Sequence, residues 1–157
     1  GSWKDNFTFV TPGYAVRPLE MSGAVGSKQL KKWDKIMSAR IKNKEHFFSK
    51  FGDEKYLKLQ KTQGESSWFS FGCICTGELA GRRDELVDAL TKAGIQSRPL
   101  ASGNWLRQPV MNMLDYTATG DYSGADIIED EGFFVGNGMQ DVTKGIDAMY
   151  DVIQKLV

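Results

Sequence analysis

The sequence predicts an α+β domain in which a small, mainly antiparallel sheet is covered by helices. Three observations carry that expectation. Residues 34–51 and 141–157 place apolar side chains at helical spacing. Short aromatic or branched runs bounded by glycine, at 67–76 and 132–136, have the composition of strands. No repeat or long linker divides the 157 residues, a length sufficient for one core of useful size.

The elements follow in order. Thr11-Pro12-Gly13-Tyr14 is a turn signal, and Pro18 stands where a helix can begin. A first helix is expected over 19–33, with Leu19, Ala24, Leu30 and Trp33 as its apolar members. Ser22, Gly23, Ala24 and Gly26 are poor helix formers, glycine costing about 1 kcal/mol against alanine, so this helix is expected to pack closely on something. A tight contact within the domain and a subunit or cofactor edge both satisfy that expectation. The second helix spans 34–51 with Ile36, Met37, Ile41, Phe47, Phe48 and Phe51 inward, and Gly52 stops it. Ser67–Thr76 is a strand. Arg83–Ala93 is a helix with Leu86, Val87 and Leu90 on its inner stripe and Gly94 as its stop. Ile95–Leu100 is a short strand, and Gly103-Asn104 is a turn. Residues 114–131 carry six acidic side chains and no basic one, and are expected to form a loop and a short helix. Gly132–Gly136 is a buried strand. Asp141 caps a last helix whose inner face is Ile146, Met149, Tyr150, Ile153 and Leu156.

Composition excludes several functions. Twenty basic and twenty acidic side chains cancel, which argues against a dedicated nucleic-acid or anionic-membrane binder. The lysines between Lys28 and Lys61 fit a solvated helix face better than a nucleic-acid patch. No apolar run is long enough to span a bilayer, and no signal-peptide pattern is present. Cys73 and Cys75, at i and i+2 of one strand, are expected to be reduced buried thiols of a cytoplasmic protein. With His46 the lone histidine, no metal-ligand set is visible.

No complete catalytic set is visible either. Two turns combine glycine, arginine and an aromatic ring: Gly13–Pro18, with Tyr14 and Arg17, and Ser102–Pro109, with Asn104, Trp105 and Arg107. Arginine offers a planar fork to phosphate or carboxylate, the aromatic can stack on a ring, and glycine admits close backbone approach. Taken singly, each of these polar residues is better read as part of a surface ion pair or an ordinary turn.

The run Gly13-Tyr14-Ala15-Val16-Arg17-Pro18-Leu19-Glu20-Met21-Ser22-Gly23-Ala24-Val25-Gly26, then Gln29-Leu30, resembles the signature that opens the C-terminal part of the DegT/DnrJ/EryC1/StrS sugar aminotransferases. Ser67-Trp68-Phe69-Ser70-Phe71, Gly94–Leu100, Gly103-Asn104, Arg107-Gln108-Pro109 and Phe133–Gly136 resemble one branch of that family, the nucleotide-linked 4-keto-6-deoxysugar 3-dehydratases and related lipopolysaccharide sugar enzymes. The resemblance spans nearly the whole chain and keeps the order of motifs.

The resemblance implies the small C-terminal domain of a fold-type-I aminotransferase. Residues 1–18 would belong to the large domain and the inter-domain segment, and residues 19–157 to the small domain. It implies a homodimer, a pyridoxal or pyridoxamine phosphate cofactor, and transamination or 3-deoxygenation of a nucleotide-linked keto-sugar. The lysine or histidine that chooses between those reactions belongs to the large domain, so this chain is expected to be inactive alone and to hold no cofactor stably. Arg17 and Tyr14 would stand beside the cofactor, and Asn104 and Arg107 beside the sugar nucleotide. Ala15 replaces the family's usual asparagine and has no donor for the cofactor phosphate. A free-standing binding or assembly module descended from the same domain is the alternative. An isolated small domain is also expected to expose apolar surface at residues 3–10 and on the Leu19–Gly26 face, and to self-associate there.

Overall fold

A computed structural model describes residues 3–14, 16 and 19–157. Its elements are α1 (Glu20–Leu30), α2 (Trp33–Phe51), β1 (Leu57–Leu59), β2 (Ser70–Cys75), α3 (Arg83–Lys92), β3 (Ser97–Pro99), α4 (Ser123–Glu131), β4 (Gly132–Gly136) and α5 (Thr143–Leu156). Short 3-10 turns lie between them. The expected α+β class holds, with one addition. Leu57-Lys58-Leu59 is a strand with no signal in the sequence, because three residues are too few to show alternation.

The four strands pair antiparallel throughout, in the order β1-β2-β4-β3. Pairing puts Leu57 opposite Cys75, Phe71 opposite Val135 and Cys73 opposite Phe133. These side chains share one face of the sheet, and α2, α3 and α5 cover it. Phe47 and Phe51 of α2, Leu86 and Leu90 of α3, and Met149 and Ile153 of α5 are all buried there. Phe47 stacks on Phe71 with ring centroids 4.1 Å apart and planes 2° from parallel. The aromatic spacing of α2 thus becomes an aromatic centre, with burial of each large side chain contributing about 1.5–3 kcal/mol.

Both cysteines are free and buried on this face. Burial pushes the Cys75 thiol up to about 12, with the nearby Glu131 carboxylate adding to the rise, and raises Cys73 further.

Two caps match their sequence signals. Gly94, at φ +79°, ends α3: its N–H donates to Thr91 O and that of Ile95 to Leu90 O, the paired bonds of a Schellman motif. Asp141 stands one residue ahead of the N-cap of α5. Its Oδ1 accepts from the Thr143 N–H at 3.0 Å and the Thr143 hydroxyl at 2.6 Å, while Oδ2 accepts from Lys42 Nζ at 2.9 Å.

The first helix departs most from an ordinary domain helix. α1 has no buried residue, and Gly23 and Gly26 have nothing within 4 Å of where a Cβ would lie. Met21, Val25 and Leu30 are 74%, 60% and 69% exposed. The expected close contact of this helix is not made among the described residues. At 3–10 the expectation holds only in part. Val10 is exposed, but Trp3 packs against the core, donates its indole N–H to Ser97 O at 3.1 Å and faces the Arg83 guanidinium at 5.2 Å.

Candidate functional site

The Ser102–Pro109 turn folds against α4 and the start of the chain. Gly103 takes φ +54°, and a Cβ there would lie 2.6 Å from Glu129 Cα, so only glycine lets the turn lie on α4. Asn104 follows, 5% exposed. Its Oδ1 accepts from the Leu106 N–H at 2.9 Å and its Nδ2 donates to Asp126 Oδ1 at 2.9 Å. Its backbone N–H donates to Glu129 Oε2 at 3.2 Å. Gln108 ties the turn to the first residues: its Oε1 accepts from the Phe9 N–H at 3.0 Å, and its Nε2 donates to Ser102 O at 3.2 Å. Trp105 lies on Phe9 with centroids 5.0 Å apart.

Arg107 is also engaged by α4. Nη2 lies 2.9 Å from Asp130 Oδ1 and Nη1 lies 3.5 Å from Asp126 Oδ1. The hydrogen bond from Arg107 holds the Asp130 carboxyl below its usual range. The acidic run of 114–131 therefore has a structural use: its helix supplies the partners of Asn104 and Arg107. The sequence named the two polar residues of the turn but not these partners, which lie about 20 residues downstream with no spacing rule to link them.

Arg98, inside the branch-like stretch but not among the residues singled out, has the opposite character. It is exposed on β3, the edge strand, and makes no ion pair among the described residues. It borders an open groove of about 670 Å³ with Trp3, Phe7, Thr91 and Gln96. An unpaired guanidinium at a groove edge is suited to an anionic ligand.

Of the other predicted pair, only Tyr14 is among the described residues. Tyr14 is 96% exposed and makes no hydrogen bond among the described residues, and Val16 is 86% exposed. Arg17 and Ala15 lie outside the described residues. Nothing described near Tyr14 forms a cradle for a phosphate or a wall for a pyridine ring. No group of three or more His, Cys, Asp or Glu residues able to hold a metal occurs among the described residues, and none of the described helices is long and apolar enough to cross a membrane.

The chain is 42% identical over 153 residues to a GDP-4-keto-6-deoxy-D-mannose 3-dehydratase of Escherichia coli O55:H7, and 41% identical over 154 residues to a protein of the same name from Yersinia pseudotuberculosis. These alignments cover 97% and 98% of this chain but only 39% of either relative. A solved GDP-4-keto-6-deoxymannose 3-dehydratase with bound GDP-perosamine superposes with a TM-score of 0.80 at 42% identity, covering 98% of this chain and 40% of that one. The E. coli enzyme with bound hydrated pyridoxal phosphate superposes with a TM-score of 0.79 at 43% identity over 96% of this chain and 39% of that one. A Helicobacter pylori aminotransferase, 14% identical, shares the fold alone with a TM-score of 0.70 over 98% of this chain and 44% of its own. The part matched is the C-terminal one, as the motifs implied. The profile of the DegT/DnrJ/EryC1/StrS aminotransferase family matches residues 1–141, most of the chain, and this chain belongs to that family.

Proposed function

We propose that this chain supplies the small domain of a pyridoxal-phosphate-dependent enzyme that removes the 3-hydroxyl of a GDP-linked 4-keto-6-deoxysugar for surface-polysaccharide synthesis. The observation that carries the reading is 42% identity with a TM-score of 0.80 across 98% of the chain to a dehydratase holding GDP-perosamine. Transamination of a similar keto-sugar is the neighbouring activity in the family. The 3-dehydratase relatives at 41% and 42% identity favour deoxygenation.

The cofactor, when bound, supplies the electron sink for breaking the C–O bond. The described residues do not form its site, so the large domain and a second subunit would have to. Within this chain the Asn104–Arg107 turn serves as a braced wall. Asn104 spends its side chain on the turn itself and on Asp126, and Arg107 is neutralised by two carboxylates. Arg98, with no such partner, is the cation placed to meet the diphosphate of the substrate. The bare apolar face of α1 is where the rest of the enzyme, or a second copy, would pack.

The test is a chimera. The matched C-terminal part of the E. coli dehydratase is replaced by this chain, and consumption of GDP-4-keto-6-deoxymannose is followed. Retained activity is expected. A chimera that folds, binds pyridoxal phosphate and yet consumes no substrate would reject the reading and favour the free-standing module. For the chain alone, pyridoxal phosphate should give no absorbance band that survives gel filtration.

A further inference from the structure

A second polar groove lies at the other end of the sheet, where Ser70 of β2 pairs with Gly136 of β4. It encloses about 590 Å³ between Gln60, Lys61, Gln63, Ser66, Trp68 and Phe69. Trp68 takes φ +53°, a left-handed conformation that a bulky aromatic residue rarely adopts. Such backbone persists only where the surroundings impose it, and it gathers at ligand sites.

Here the surroundings are a buried amide pair. Asn137 is 2% exposed and Asn43 fully buried. Asn137 Nδ2 donates to the carbonyls of Trp68, Ser67 and Arg40 at 2.8, 3.1 and 3.2 Å, and its backbone N–H donates to Phe69 O at 3.1 Å. Its Oδ1 accepts from Asn43 Nδ2 at 3.1 Å. Asn43 is fixed in turn by Gln140 O and by the Val142 N–H. The turn that presents Phe69 is thus held from both sides.

What it presents is an aromatic ring and positive charge. Phe69 is 73% exposed, and the Arg40 guanidinium lies 5.5 Å from its centroid. Arg40 Nε is buried without a hydrogen-bond partner. Lys44, one turn along α2, reaches Ser66 O at 3.2 Å, and Lys61 lies on the groove wall. None of these three cations forms an ion pair among the described residues, and Glu65 is the one carboxylate between Gln60 and Ser70.

We propose that this groove binds a nucleoside diphosphate. The phosphates lie toward Lys61, Lys44 and Arg40, and the base stacks on the open face of Phe69. The parts match that ligand: Lys61 on the groove wall, with the Lys44 ammonium at Ser66 and the Arg40 guanidinium beside Phe69, side-chain amides and hydroxyls along the wall, and an exposed ring on a turn whose carbonyls Asn137 holds. A free inorganic anion would use the cations but not Phe69. The inference stands on this groove alone, and the Lys61 and Phe69 variants separate it from anion binding beside Arg98, which belongs to the enzymatic reading.

Calorimetric titration of the 157-residue chain with GDP and, separately, with inorganic pyrophosphate tests it. Both should bind saturably, GDP more tightly. Arg40→Gln and Lys61→Gln should each weaken both about tenfold by removing a charge-assisted contact. Phe69→Ala should abolish the preference for GDP and leave pyrophosphate unchanged. Lys28→Gln, on α1, should change neither. Should Arg40→Gln fail to fold by circular dichroism, Lys61→Gln and Phe69→Ala carry the test. Absence of saturable GDP binding, equal affinity for the two ligands, or the same loss with Lys28→Gln would overturn the proposal.

Discussion

Arg107 Nη2 lies 2.9 Å from Asp130 Oδ1, and this pair closes the Ser102–Pro109 turn onto α4. The guanidinium is therefore already engaged when a ligand arrives. Both side chains are about half exposed, so the pair itself contributes little, between 0 and about 1 kcal/mol. Its significance is for recognition: Arg107 carries no free charge, whereas Arg98 does. In the active chimera, Arg98→Gln should raise the KM for the GDP-sugar about tenfold with a smaller change in kcat, the loss expected for a charge-assisted phosphate contact. Arg107→Gln should change KM much less. The reverse order, measured by steady-state kinetics on both variants, would return Arg107 to the role of ligand.

Gly103 fixes how closely the same turn can approach α4. At φ +54° an L side chain is strained, and its Cβ would stand 2.6 Å from Glu129 Cα, a backbone atom that cannot swing aside. Gly103→Ala should therefore destabilise the chain by about 2 kcal/mol or more in a urea melt. Gly145→Ala is the control. That position is helical and has nothing within 4 Å of the added Cβ, so the change should stabilise by about 0.5–1 kcal/mol. A melt in which Gly103→Ala matches wild type would mean that the turn does not hold its place on α4.

Asp141 gives a pH dependence of definite sign. The Lys42 ammonium first, then the Thr143 hydroxyl and N–H, hold its carboxyl far below the usual carboxylate range. A depressed folded-state pKa stabilises the fold at every pH above the unfolded value of about 3.9, and that stability is lost as pH falls below it. Asp141→Ala should lower Tm at pH 7 by removing the α2–α5 link and the first-turn acceptor. It should also shrink the fall in Tm between neutral pH and pH 3, since the mutant no longer has this group to protonate. An unchanged acid slope in calorimetry would show that Asp141 is not held in this arrangement in solution.

Much of this was legible in the sequence. Gly94 announced its αL cap, the Phe47 and Phe51 spacing announced the buried stripe of α2, and Cys73 and Cys75 share a buried face because strand residues two apart must. Other features were not legible, each for a physical reason. β1 exists because Leu57 meets Cys75 across the sheet, a tertiary pairing that three residues cannot signal. Asn104 was recognised by type, but nothing local shows that its amide is taken by Asp126, 22 residues away. Trp68 sits in a left-handed turn that no residue preference would predict, because Asn137, 69 positions on, holds its carbonyl. Trp3 was expected at an exposed apolar end, but the Ser97 carbonyl and Arg83 draw it onto the domain.

α1 is a helix with nothing to pack against among the described residues. Glycine in a helix interior is a cost, and here it serves no internal contact: Gly23 and Gly26 face open space, while Met21 and Val25 project one turn apart into solvent. Close approach by another surface would account for both features at once. The isolated chain should therefore self-associate through this face, with a sedimentation-derived mass that rises with concentration. Val25→Glu places a charge on the face without touching the core, and should return the chain to a monomer at an unchanged Tm. Gly23→Leu should have a similar effect by blocking close approach, although it improves helix propensity. A monomeric wild type at high concentration would overturn the prediction. Association that survives both substitutions would place the contact elsewhere.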